Sequence, residues 1–248
     1  MADLRNYQAR TAPAGVRAGT EIDEGLRAYM LRVYNLMALG LAITGAAAYG
    51  TAQMAVSDGQ LTAFGQLIFA SPLRWVVMLA PLGFVFFLSF RVHKMSVSAA
   101  QTTFWAFSAL MGLSLSSIFL VYTGQSIVQT FFVTAASFGA LSLYGYTTKR
   151  DLTGMGSFLF MGLIGLILAM VVNIFLQSSA LQFAISAIGV LIFAGLTAYD
   201  TQNIKNMYYE GDSSDAAGRN AIMGALRLYL DFINMFMFLL QFMGASRE

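Results

Sequence analysis

Only about one residue in ten of the 248 is charged, where a soluble domain carries roughly a quarter. Apolar residues make up 58% and the mean hydropathy is +0.67. This balance excludes a disordered chain, a collagen and a nucleic-acid-binding module, and the complete lack of cysteine excludes a disulfide-stapled secreted fold, which leaves an integral membrane protein. In chain order, residues 1–25 are polar and mixed in sign, with no short apolar core close to the start. They predict a retained, partly disordered cytoplasmic tail and not a signal peptide. Residues 26–248 read as one membrane domain. Apolar stretches of about twenty residues are predicted at Tyr29–Ala52, Pro72–Phe90, Ala99–Tyr122, Ile127–Tyr146, Gly156–Leu176, Leu181–Tyr199 and Ala221–Met243. Gly124-Gln125 reads as a tight turn, Gln177 to Ala180 as a short link, and Asn203 to Asn220 as a polar connection. Each stretch is apolar all round, not alternating, so the reading is all-α with seven spans and not a barrel. Gly40, Gly45, Gly162, Gly165, Gly189 and Gly195 are candidates for close helix approach.

Twelve of the fourteen Lys and Arg residues fall on the side of the membrane from which the first span starts, and only Arg74 and Arg247 fall opposite. The positive-inside rule then predicts a cytoplasmic N-terminus and, with seven spans, a C-terminus outside.

Two acids do not fit a surface. Asp200 closes the sixth span in Leu-Thr-Ala-Tyr-Asp-Thr-Gln, and Asp231 lies within the seventh in Leu-Tyr-Leu-Asp-Phe-Ile-Asn. The predicted start of that span is about ten residues before Asp231, a rise of roughly 15 Å. An acid at such depth costs about 2.5 to 3.5 kcal/mol on insertion scales and marks a functional position. Both acids approach from the same side on consecutive spans, so they can meet, and two adjacent carboxyls tend to share one proton. The plainer alternative for Asp231 is an ion pair with Arg227, four residues earlier on the same helix face; for Asp200 it is a surface role near Lys205. Arg91, at the same end of the second span, reads first as an anchor and second as a cationic partner for Asp200.

Several chemistries lack their residues. The single histidine, His93, sits in a loop beside Lys94, which excludes a multi-histidine metal site or a His-Glu-x-x-His protease. No lysine lies in a predicted span, so a retinal Schiff base has no attachment point. No phosphate-binding glycine loop with a lysine is present, and no cofactor is expected.

The stretch Gly145-Tyr-Thr-Thr-Lys-Arg-Asp-Leu152, the pair Gly162 and Gly165, Tyr199-Asp200-Thr201-Gln202 with Ile204, and Leu228-Tyr-Leu-Asp231-Phe-Ile-Asn234 resemble the bacterial branch of the Bax inhibitor family, also called the transmembrane Bax inhibitor motif family. The resemblance runs from about Arg27 to Met243. It implies seven helices with the C-terminal one surrounded by the other six, in a multi-pass protein of the bacterial inner membrane. It further implies a pair of aspartates, here Asp200 and Asp231, that senses pH and gates a calcium leak, making weak, transient contact with the cation. An arginine that latches onto the sixth-span acid in the closed state corresponds by topology to Arg91.

The leading expectation is a pH-sensitive, calcium-permeable leak channel or transporter with membrane lipids and calcium ions as its partners. The alternative is a non-transporting regulator that binds a membrane protease or a stress-response partner through residues 1–25. A third reading, an intramembrane aspartyl protease, would need a Gly-x-Gly-Asp motif, and Tyr229-Leu230-Asp231 lacks it. The expectation is therefore not an enzyme and not a nucleic-acid binder.

Overall fold

Seven long helices account for nearly all of the backbone in a computed structural model that describes residues 14–247. They are α1 Ala14–Ala55, α2 Leu73–Arg91, α3 Val97–Leu115, α4 Gly124–Thr147, α5 Thr153–Leu176, α6 Ser179–Asn206 and α7 Ser214–Met243. Each contains a window long and apolar enough to cross a membrane. Residues 1–13 of the expected tail lie outside the described residues, and the α1 backbone is helical from Ala14.

Local chemistry sets where the helices start. Ser96, Thr123, Ser178 and Ser213 cap α3, α4, α6 and α7, each side chain accepting a hydrogen bond from the backbone N–H three residues on. Thr123 as a cap makes Gly124 and Gln125 the first residues of α4, where the sequence suggested a turn. Ser213 as a cap starts α7 seven residues ahead of the expected Ala221, so the polar connection shortens to Met207–Ser213. Gln177 ends α5 in the left-handed region at φ 49°. Between α1 and α2 a small hairpin, β1 Val56–Ser57 with β2 Gln60–Leu61, turns through Asp58 and Gly59, both at positive φ. Asp-Gly suits the type I′ turn that matches strand twist.

Burial separates the centre from the periphery. In the most apolar window of α7, 67% of residues are buried, against 11% for α5 and 17% for α2. The C-terminal helix is thus the core of the bundle. It packs directly on α6, α1, α4 and α3, while α2 rests against α3 and α5 against α6. Tyr229 of α7 is fully buried, edge-on to Phe104 and Phe107 of α3 at 5.8 and 5.4 Å between ring centroids. Its hydroxyl meets Thr44 Oγ1 of α1 at 2.6 Å, so one polar node, satisfied in an apolar setting, ties three helices. At the far end the residues after α7 are pinned to the α3–α4 link. Ala245 O accepts from Thr123 N, Ala245 N donates to Ser126 Oγ, and Arg247 N donates to Val121 O.

Candidate functional site

The α6–α7 interface carries the two acids, and its register follows from two contacts: Ile204 lies against Gly224, and Gly189 lies against Phe238. In that antiparallel register Asp200 is level with Arg227 and Leu228, and Asp231 lies about one helical turn deeper. The two carboxyl groups come within hydrogen-bonding reach of one another, and Arg227 stands within Coulombic range of both. Asp231 is 4% exposed, and Asp200 is half-buried. The Oδ2 atom of Asp231 is buried with no N–H or O–H partner among the described residues. A carboxylate oxygen beside a second carboxyl forms a hydrogen bond only if one of the two carries a proton.

Both acids open onto a cavity of about 1020 Å³ between α5, α6 and α7. Its walls are apolar, among them Phe160, Met161, Leu166 and Ile167 of α5 and Phe193 and Leu196 of α6. The polar groups converge on one end: Asp200 and Tyr199 from α6, Arg227, Asp231 and Asn234 from α7, and Ser157 from α5. Asn234 donates through Nδ2 to Leu230 O at 2.8 Å, a bond that leaves its amide oxygen free. With two carboxyls and an amide, the site offers hard oxygen donors to a cation but far fewer than the six to eight of a tight calcium site. No cluster of three or more His, Cys, Asp or Glu side chains suited to a metal occurs among the described residues.

The residues flanking the acids hold this geometry. Tyr199 packs on Gly156 of α5, where any Cβ would collide with the ring. The Thr201 hydroxyl donates to Thr197 O and meets Ser142 Oγ at 2.9 Å, and Ser142 in turn meets Tyr34 of α1 at 2.7 Å. Gln202 accepts from Leu152 N and donates to Arg150 O, both at 2.8 Å, fixing the link that starts α5. In that link Asp151 Oδ1 accepts from Thr153 N at 2.9 Å. Hydrogen bonds from the Thr153 side chain and backbone hold the exposed Asp151 carboxyl below the usual range. Lys205 Nζ donates to Tyr146 O at the end of α4. Thus all four residues of Tyr199-Asp200-Thr201-Gln202 face defined neighbours on α4, α5, α7 or the α4–α5 link.

The family described as Inhibitor of apoptosis-promoting Bax1 matches residues 26–248. This chain belongs to the Bax inhibitor family. Relatives agree over almost their full lengths. A protein of Caulobacter vibrioides is 51% identical, over 100% of both chains. The inner membrane protein YbhL of Escherichia coli is 48% identical over 90% of this chain and 94% of its own. A protein of Deinococcus radiodurans is 44% identical over 90% of this chain and 92% of its own. In this Bax inhibitor fold Gly145 to Leu152 is clamped by Gln202 and Lys205, and Leu230, Asp231 and Asn234 line the same cavity as Tyr199 and Asp200.

Of the site residues read from the sequence, Asp200 and Asp231 are brought together. Arg91 ends α2, is exposed and does not line the cavity. The cation beside the acids is Arg227, which the sequence suggested only as an intrahelical partner of Asp231. Its reach to Asp200 depends on the α6–α7 register, which no local spacing encodes.

Proposed function

We propose that this protein is a pH-sensitive, calcium-permeable leak channel or transporter of the bacterial inner membrane, gated by a proton shared between Asp200 and Asp231. The observation that carries this reading is the placement of the two carboxyls side by side at the inner end of the α5–α6–α7 cavity. While one proton is shared, the pair bears a single negative charge, offset by Arg227, and the hydrogen bond holds α6 to α7. Loss of that proton as pH rises removes the bond, sets two negative charges against each other and creates a site that attracts a hard cation. Few ligands and weak binding are what conduction requires. Flux is therefore expected to rise with pH. Arg91 enters this reading as a second cation on the same face, while Arg227 is the one placed at the pair.

The test is calcium uptake into proteoliposomes loaded with a calcium indicator, measured across pH for the wild type, Asp200→Asn, Asp231→Asn and the double variant. Loss of the pH dependence in each single variant, with flux lowered in the double variant, is the expected outcome. Flux and pH profile unchanged in the double variant would sink the proposal.

A further inference from the structure

On α7, Asp231, Asn234, Phe238 and Gln241 recur at spacings of three, four and three, which puts them on one helical face. On antiparallel α6, Asp200, Phe193, Gly189, Ser186 and Gln182 recur at seven, four, three and four and form the facing row. The interface is polar at both ends and aromatic between them. Phe193 and Phe238 are each 6% exposed, and their rings stack at 5.8 Å between centroids with 25° between planes. Phe238 sits in a notch left by Gly189, where a Cβ would stand 2.6 Å from the ring. The rings meet because each side chain leans toward the N-terminus of its own helix and the two helices run in opposite directions.

By helix rise Phe238 stands roughly 10 Å beyond Asp231. Both rings border the cavity that holds the acids, whose charged lining residues are Asp200, Asp231 and Arg227. Between Asp231 and the rings, Asn234 is the one polar residue of that lining among the described residues. Beyond the rings polarity resumes, at the end of the bundle away from the acids, the outer one in the predicted orientation. There Gln182 Nε2 donates to Gln241 Oε1 at 2.9 Å, and Asn173 Nδ2 of α5 donates to Gln182 Oε1 at 3.0 Å. Ser186 Oγ lies 3.4 Å from Gln241 Oε1. Gln182 and Gln241 are exposed, so these amides open to the surface, and none of the four residues lines the acid cavity. Two stacked rings are what separates the two polar regions of this interface.

We propose that Phe193 and Phe238 form the closed constriction of the conduction path, between the carboxyl pair and an amide-lined mouth at Asn173, Gln182, Ser186 and Gln241. The constriction rests on the transport reading above and adds to it the element that stops the ion. A dry aromatic seal offers a cation no replacement for its water, and hydrophobic constrictions close by dewetting. The coupling to the acids is short. Their hydrogen bond ties α6 to α7 about two helical turns from the seal, and its loss lets the interface part enough for the Phe238 ring to leave the Gly189 notch. The amide oxygens of the mouth then follow the carboxylates as hard donors along the path.

Packing alone also stacks rings between helices, so the test reads access and not only stability. The chain has no cysteine, and Asn234→Cys places a single thiol on the acid side of the rings. A membrane-impermeant cationic methanethiosulfonate applied to the outer face of spheroplasts is expected to modify that thiol slowly. Adding Phe238→Ala or Phe193→Ala is expected to speed modification about tenfold, as for a barrier lowered by about 1.4 kcal/mol. Phe232→Ala is the packing control, because it removes an equal ring from the same helix, 3% exposed, that faces Phe131 and Phe138 of α4. It is expected to leave the thiol protected. Calcium uptake by Phe238→Ala proteoliposomes is expected to exceed that of the wild type at acidic pH, where the shared proton keeps the wild type closed. A thiol modified rapidly with both rings in place, or as fast in Phe232→Ala as in Phe238→Ala, would overturn the constriction, and the first of these is decided even if no alanine variant folds. Wild-type calcium flux together with a thiol still protected in both Phe193→Ala and Phe238→Ala would overturn the constriction and leave the transport reading standing. Absence of flux from every protein would instead overturn the transport reading, while the labelling still reports the barrier.

Discussion

Gln202 shows how one side chain secures the site without touching it. It is 7% exposed and spans from α6 to the α4–α5 link, serving one backbone donor and one backbone acceptor there. Gln202→Ala leaves both Leu152 N and Arg150 O without that partner, and a buried unpaired group costs about 1–3 kcal/mol. Thermal unfolding in detergent should report a loss of that size. Gln202→Glu keeps an acceptor for Leu152 N and should fall between the two. In the sequence, Gln202 drew notice only as part of a motif. Its task was invisible because its partners lie fifty residues away and are backbone atoms, which carry no sequence signature.

At the scale of helices, the glycines separate into those that set a contact and those that face open space, a distinction that counting glycines does not make. Gly40, Gly189 and Gly195 stand against Phe104, Phe238 and Leu159, whereas Gly45 and Gly165 have no neighbour within 4 Å. The tightest crossings involve glycines outside the candidate set. A Cβ on Gly145 would strike the carbonyl of Ala198, so α4 and α6 touch backbone to backbone. Gly145→Ala should force these helices apart and lower stability by about 1–3 kcal/mol, as overpacking does. Gly165→Ala should melt at or above the wild type, gaining up to about 1 kcal/mol of helix propensity. Parallel melting curves of the two variants check both. The helix starts were more legible, because Ser96, Thr123, Ser178 and Ser213 are caps that act through their own neighbours. The α4 cap stands just before Gly124-Gln125, which reads as a turn, and the α7 cap stands eight residues before the apolar run at Ala221.

For the whole molecule, the sorting of twelve basic residues to one side and two to the other predicts an orientation that can be checked directly. The chain has no cysteine, so single-cysteine probes are unambiguous. Ser57 in the α1–α2 hairpin and Glu210 in the α6–α7 connection are both exposed, on opposite faces. A membrane-impermeant maleimide applied to spheroplasts should label Ser57→Cys and spare Glu210→Cys until the cells are lysed. The reverse pattern would invert the assigned topology.

Seven spans, their approximate limits and the two acids out of place followed from the sequence alone, because a long apolar run in lipid has one way to satisfy its backbone and a charge within it stands out against that background. The tertiary structure decided which helix is central, and why Tyr229, Thr44 and the aromatics of α3 meet there. It also placed Arg227 rather than Arg91 beside Asp200 and Asp231. These are consequences of the register between packed helices, fixed by the close approaches at Gly145, Gly189 and Gly224. Hydropathy reports whether a residue prefers lipid to water, but it does not record which helix stands beside it.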